Sequence, residues 1–211
     1  MALAMDLSIF PAAGTLRYWQ AWVFLGVFWA AQFPIMLYLP RHDPALLQRR
    51  LRGGPWAEKE RAQKIIVYLA SVGFIALLVV PAFDRRFGWS AMPLYVVILG
   101  DALVALGFFI VFLVFRENTF TSATVEVTRD QRVISTGPYA AVRHPMYAGA
   151  SLYLIGMPLA LGSCWGLLVL VPLIPVLVWR LVDEEKLLAK DLPGYTEYQR
   201  RMRSRLIPGV F

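Results

Sequence analysis

The chain has 211 residues, of which 58% are hydrophobic and only 17% charged, whereas ordinary globular chains run at roughly 45–50% apolar and about 25% charged. That composition excludes a soluble domain and makes a membrane protein the first reading. The 21 Lys and Arg against 14 Asp and Glu leave a net charge of +7, which suits either a nucleic-acid binder or basic membrane loops, and the positions of the charges decide between them.

Residues 1–16 lack the positive n-region of a secretory signal, and the first apolar run is long enough to span, so a retained N-terminal segment is expected. From Tyr18 to Pro40 there is no Asp, Glu, Lys or Arg. At 1.5 Å per residue such a run crosses a hydrocarbon core of about 30 Å. A second span is predicted over 65–83 and a third over 93–115, the latter interrupted only by Asp101. Pro145 to Trp179 is then 35 uncharged residues, which predicts two short spans, 146–162 and 165–181, joined as a hairpin at Gly162-Ser163-Cys164-Trp165.

Sorting the cations by loop gives Arg17 before the first span and Arg85 with Arg86 between the second and third. Seven lie from Arg41 to Lys64, four from Arg116 to Arg143 and seven from Arg180 to Arg205, eighteen in all. An N-terminus outside and a C-terminus in the cytoplasm put those eighteen on the cytoplasmic side, a strong positive-inside asymmetry. The basic excess therefore reports orientation, and no nucleic-acid partner is expected, since that would need a basic face interleaved with stacking aromatics. Trp19, Trp22, Trp89, Trp165 and Tyr38 fall near span ends, where amphipathic rings anchor at the interface. The single cysteine, Cys164, excludes an intramolecular disulfide, and no metal site is expected. Asp101, the one acid within a span, argues against an ion conductor; it snorkels outward, is capped by a neighbour or lines a polar patch, a structural role being favoured. Gly100 and Gly107 can pack within the chain or between chains, which leaves the oligomeric state open.

Polar features gather in two blocks bracketing the hairpin, residues 116–147 and 182–211. The first ends in Gly137-Pro138-Tyr139-Ala140-Ala141-Val142-Arg143-His144-Pro145-Met146-Tyr147, where Gly-Pro makes a turn and Pro145 suits the first turn of a helix. Arg143 and His144 then stand at a helix N-terminus. Open backbone N–H groups there, with a guanidinium fork, make a site for a carboxylate or phosphate; equally, Arg143 serves the charge asymmetry and His144 caps the helix. The second block opens with Asp183-Glu184-Glu185 among cations. Adjacent residues lie about 100° apart on a helix, so one of Glu184 and Glu185 points inward to a cation while the other supports it or is solvated. Beyond Leu192-Pro193-Gly194 a short basic helix carries Tyr195 and Tyr198 and either lies on anionic lipid or contacts a ligand.

From Glu117 to the C-terminus the sequence resembles the isoprenylcysteine carboxyl methyltransferase family of integral-membrane enzymes, in a short bacterial-type form. The resemblance is carried by Asn118-Thr119-Phe120, the approach from Gln131 to Gly137, Gly137-Pro138-Tyr139, Arg143-His144-Pro145-Met146-Tyr147 with Gly149, Glu184-Glu185 with Leu188, and Gly194-Tyr195 with Tyr198 and Arg205-Leu206-Ile207-Pro208. Phospholipid N-methyltransferases are similar in placing paired glutamates after a membrane hairpin. The resemblance implies methyl transfer from S-adenosyl-L-methionine, held in a cytoplasm-facing pocket, to a lipophilic acceptor arriving from the bilayer. It assigns cofactor binding to Gly137, Tyr139, His144, Pro145, Tyr147, Glu184, Glu185, Tyr195 and Tyr198, and catalytic roles to Arg143, His144 and Glu185, with Arg143 alternatively gripping the acceptor's carboxylate. The glycine-rich loop of soluble methyltransferases is absent from the sequence.

The expectation is thus an all-α polytopic membrane bundle of about five transmembrane helices plus a cytoplasmic C-terminal helix, forming one methyltransferase domain over 1–211 in a bacterial inner membrane. Carboxyl O-methylation is the leading activity. Methylation of a lipid amine or a thiol competes with it, and from another class stands a non-catalytic membrane binding or assembly protein.

Overall fold

Charge-free runs too long for a soluble core must satisfy their backbone internally, and among the described residues they do so entirely as helices. The computed structural model describes residues 2–58, 60–128 and 130–210. Lys59 and Arg129, two of the loop cations counted above, lie outside the described residues. The helices are α1 (Ala2–Ala13), α2 (Trp19–His42), α3 (Pro44–Leu51), α4 (Arg61–Phe87), α5 (Leu94–Glu117), α6 (Pro145–Ala160), α7 (Trp165–Leu168), α8 (Leu170–Asp191) and α9 (Tyr195–Arg201), with one 3-10 turn at Gly137–Ala140.

Among the described residues, four helical stretches are long and apolar enough to cross a membrane: α2, α4, α5 and the run Trp165–Asp191 through α7 and α8. The protein is an all-α polytopic membrane bundle. The expected hairpin forms, with α6 ending at Ala160 and α7 starting at Trp165. At sixteen residues, however, α6 extends only about 24 Å by helical rise, short of a core about 30 Å thick. Two short helices escaped the sequence reading. In α1, Met5, Ile9 and Phe10 are buried, and Phe10 packs on Trp22 with ring centroids 4.5 Å apart. At the start of α3, the Asp43 carboxylate accepts the Leu46 N–H at 2.8 Å and Pro44 opens the first turn, as helix-start chemistry favours.

The chain folds as two compact units. The first comprises Met1–Gln32, Leu69–Phe108 and Ala150–Pro175. Its core includes Tyr18, Phe24, Phe28, Leu77, Val104 and Met157. The Tyr18 hydroxyl donates to the Leu161 carbonyl at 2.5 Å, and Phe108 stacks on Tyr153 at 5.0 Å. Helices α5 and α6 approach at backbone distance where Gly100 meets Gly156 and Ala160. Asp84 is 1% exposed and accepts the N–H and hydroxyl of Ser90 and the hydroxyl of Ser163, tying two interhelical turns together. Asp101 does not snorkel: it is buried, with one carboxylate oxygen lacking a hydrogen-bond partner. Val72, Ile75, Ile98 and Leu99 are exposed, the expected face toward hydrocarbon.

The second unit comprises Phe33–Tyr68, Phe109–Gly149 and Val176–Phe211, and by sequence it owns the eighteen cations of the basic loops and eleven of the fourteen acids. One core cluster joins Leu39, Leu46, Val111 and Phe115, flanked by Tyr38 and Met146. A second joins Leu192, Tyr195 and Tyr198, with Val127, Val133, Leu188 and Met202 packed on it. All the candidate site residues belong to this unit.

Candidate active site

The site grows from the segment after α5. The Asn118 side chain accepts the Phe120 N–H at 2.9 Å and donates to the Tyr139 hydroxyl at 2.8 Å, fixing the loop's exit against the 3-10 turn. Gly137 opens that turn at a φ of +57°, the left-handed region that favours glycine, and a Cβ there would have only the movable Glu117 carboxylate within 2.9 Å. Thr136 donates its hydroxyl to the same Glu117. The chain then delivers Arg143 and His144 directly before Pro145, the first residue of α6.

The N–H groups of Arg143 and His144 are not open. They donate to the carbonyls of Ser204 and Arg205 at 2.9 and 3.0 Å, so the tail takes these two groups from any anion. Both side chains turn instead to Glu185. Arg143 Nε and Nη2 lie 2.9 and 2.8 Å from Glu185 Oε1, and His144 Nε2 lies 3.0 Å from the same oxygen. Arg205 Nε donates to Glu185 Oε2 at 3.0 Å. Arg143 also donates through Nη1 to the Met202 carbonyl at 3.1 Å. Arg143, His144 and Glu185 are all buried. Three segments, the start of α6, α8 and the tail, are therefore held by one carboxylate.

Its neighbour does something different. The Tyr147 hydroxyl donates to Glu184 Oε2 at 2.6 Å, and Glu184 is half-buried. The two glutamates thus divide as the 100° step requires, Glu185 toward cations and Glu184 toward Tyr147 and Arg180. Helix α8 continues past the predicted span end at 181 to Asp191, which is why both stand on a rigid helix.

The C-terminal tyrosines turn inward rather than onto a lipid surface, with Tyr195 4% and Tyr198 7% exposed. Tyr198 donates to the Tyr139 carbonyl at 2.8 Å. Tyr195 stacks obliquely against Tyr198, within electrostatic reach of Glu184 and Glu185, yet its buried hydroxyl has no hydrogen-bond partner. Burial pushes the Tyr198 hydroxyl up to about 12 and raises those of Tyr139 and Tyr195 well above the usual phenol range. All three are therefore neutral at physiological pH, and each keeps its hydroxyl proton to donate. A hollow of about 380 Å³ borders Tyr198, Gly194, Val133 and Met202, to one side of the glutamates.

Sequence reasoning missed four participants. Asn118 and Arg205 lay inside the quoted motifs without an assigned role. Arg180 carried a signal, one helical turn before Glu184, but was counted as a loop cation. Glu58, which pairs with Arg180 at 2.9 Å, gave none, being 122 residues away.

Residues 95–193 match the sequence model of the phospholipid methyltransferase family. This stretch is similar to those enzymes. It covers just under half of the chain, from α5 through α8, and includes Gly137 to Tyr147 and both glutamates; Tyr195, Tyr198 and Arg205 fall beyond it. No curated protein matches the chain.

Proposed function

We propose that the protein is an S-adenosylmethionine-dependent membrane methyltransferase acting on a lipophilic acceptor. The observation that carries this reading is the cluster of Arg143, His144, Tyr147, Glu184, Glu185 and Tyr195 in one unit, with a buried hydroxyl left unpartnered beside the paired glutamates. These residues fit the cofactor: a half-buried carboxylate complements a sulfonium or an amine, an unpaired hydroxyl serves a carboxylate or ribose oxygen, and aromatic rings wall a base. When bound, S-adenosylmethionine supplies an electrophilic methyl group on sulfur.

The chain's own residues would then bind and position. Glu184 and Tyr147 face the cofactor's cationic groups, Tyr139, His144 and Pro145 shape the wall at the start of α6, and Tyr195 and Tyr198 close it. Glu185 acts as a positioning residue, because both its oxygens are already engaged by Arg143, His144 and Arg205. Methyl transfer needs alignment of donor and acceptor and exclusion of water rather than a covalent catalyst. The burial of the cluster suits that requirement.

Carboxyl O-methylation is the finer reading, since an acceptor carboxylate is ionised at neutral pH and needs no base. Lipid-amine N-methylation is the second reading, favoured by the match over 95–193. Incubating the purified protein with methyl-labelled cofactor and a bacterial lipid extract distinguishes them: a methyl ester releases labelled methanol in alkali, whereas an N-methyl amine keeps its label. No labelled lipid and no calorimetric binding of the cofactor at millimolar concentration would sink the enzyme assignment.

Tyr195→Phe tests the site more finely. Removing an unpaired buried hydroxyl is expected to leave stability unchanged or raise it by up to about 1 kcal/mol, read as an unfolding midpoint that does not fall. The same change should weaken cofactor binding about fivefold, the size of one lost hydrogen bond. Unchanged affinity would place the ligand elsewhere.

In this reading the second unit's loops face the cytoplasm and the N-terminus lies outside, as the cation count supports. Trp56 is 95% exposed on the loop between α3 and α4. A Trp56→Cys variant on a Cys164→Ser background should therefore react with an impermeant thiol reagent in inside-out vesicles only; reaction in right-side-out vesicles reverses the orientation.

A further inference from the structure

Glu58 lies on the loop between α3 and α4, outside the matched stretch, and yet is only 4% exposed. Its Oε1 accepts Arg180 Nη2 at 2.9 Å, and its Oε2 accepts the Val125 N–H at 3.3 Å. Arg180 Nη2 also donates to the Ala123 carbonyl at 2.8 Å. Beside this pair, Gln63 donates to Asp183 at 3.1 Å, seating the start of α4 on α8. The Arg180 guanidinium, one turn before Glu184, feels both Glu58 and Glu184 and faces Tyr147.

The charges make Glu58 more than a loop fastener. Around Glu185 stand two guanidiniums, Arg143 and Arg205, against a single carboxylate, which leaves that part of the site positive. Arg180, one turn earlier on the same helix, would add a further positive charge within electrostatic reach of Glu184. A half-buried guanidinium with no other carboxylate would take Glu184 as its partner and cancel a negative group available to a cationic ligand. Glu58 supplies the other carboxylate.

We infer that Glu58 is a positioning residue that sets the charge of the site: by holding Arg180 it leaves the Glu184 carboxylate free to face the sulfonium of the ligand, the one charge that the methyl donor has and its product lacks. The inference rests on the cofactor assignment above and adds to it a residue from outside the matched stretch, together with a basis for telling the charged methyl donor from its uncharged product.

Calorimetric titration of the full-length protein in detergent with S-adenosylmethionine, a sulfonium, and S-adenosylhomocysteine, the corresponding neutral thioether, provides the test. Glu58→Gln should weaken the sulfonium about tenfold, the order of one added charge in a partly buried site, and the thioether less than about twofold. Arg180→Gln should shift the ratio of the two affinities the opposite way, and it decides alone if the first variant does not fold. The double variant, lacking both charges, should return the ratio to near that of the wild type. Equal losses for both ligands, or an unchanged ratio in the folded variants, would mean that the pair only fastens the loop and would overturn the inference. Binding of neither ligand to the wild type would instead remove the cofactor assignment, and that titration comes first.

Discussion

Glu185→Ala is expected to cost about 3–5 kcal/mol of stability, the range seen when one member of a buried ion pair is removed, and to abolish measurable cofactor binding. The reason is the number of groups that depend on this carboxylate. Arg143 and His144 reach it from the start of α6, and Arg205 reaches it from the tail. Arg143 and Glu185 have side chains only 7% exposed, so water cannot replace the partner that Arg143 loses. Loss of the tail's anchor also frees Ser204 and Arg205, whose carbonyls cap the N–H groups of Arg143 and His144. The exposed pair of Arg201 with Glu197, 78% and 68% exposed, supplies the contrast: Glu197→Ala should change stability by less than about 1 kcal/mol. Thermal unfolding of the full chain in detergent reads both variants, and titration reads the site. A Glu185→Ala protein that unfolds and binds like the wild type would show that this carboxylate does not organise the site.

Much of this arrangement was legible because it is local. Charge-free runs of span length give α2 and α5 to within two residues of their observed bounds and α4 four residues short at each end, and the Gly-Pro and His-Pro signals place the turn at Gly137–Ala140 and the start of α6. The ends of helices were less legible. Charged residues ended the fifth span in the reading but do not end α8, because backbone hydrogen bonding continues past the membrane boundary while the side chains become polar. That continuation puts Glu184 and Glu185 on a helix rather than in a loop. The angular step separates the directions of the two glutamates, but both meet a cation, Glu184 within reach of Arg180 and Glu185 on Arg143 and Arg205, and the identity of those groups did not follow from spacing. Arg205 reaches Glu185 across a turn and a short helix, and Glu58 reaches Arg180 across most of the chain, contacts that no spacing encodes. The N–H groups of Arg143 and His144 were unreadable for the same reason, since they are taken by carbonyls about 60 residues further along.

Gly100→Ala is expected to destabilise the protein by about 3 kcal/mol or more, at the upper end of what overpacking costs, because the atoms it would strike cannot move aside. A Cβ on Gly100 would lie 2.2 Å from the Ala160 nitrogen, 2.7 Å from the Leu159 carbonyl carbon and 2.8 Å from the Gly156 oxygen, all backbone. The contact is reciprocal, as a Cβ on Gly156 would lie 2.6 Å from the Gly100 oxygen. Close helix approach through small residues is how membrane helices gain packing that lipid does not supply, so separating α5 from α6 forfeits contact along both. Two other glycines grade the effect. At Gly73 the nearest atom is the mobile Leu173 Cδ1 at 2.7 Å, and at Gly26 nothing lies within 4 Å; alanine should be mildly destabilising at the first and neutral to stabilising by up to about 1 kcal/mol at the second, where it gains helix propensity. Unfolding midpoints in the order Gly26→Ala, Gly73→Ala, Gly100→Ala, highest to lowest, are the expected result. The sequence left open whether Gly100 packs within the chain or between chains, and the same series separates the two. A Gly100→Ala protein with an unchanged midpoint but an altered oligomeric mass would assign the glycine to a subunit contact, whereas a lowered midpoint at constant mass assigns it to the contact of α5 with α6.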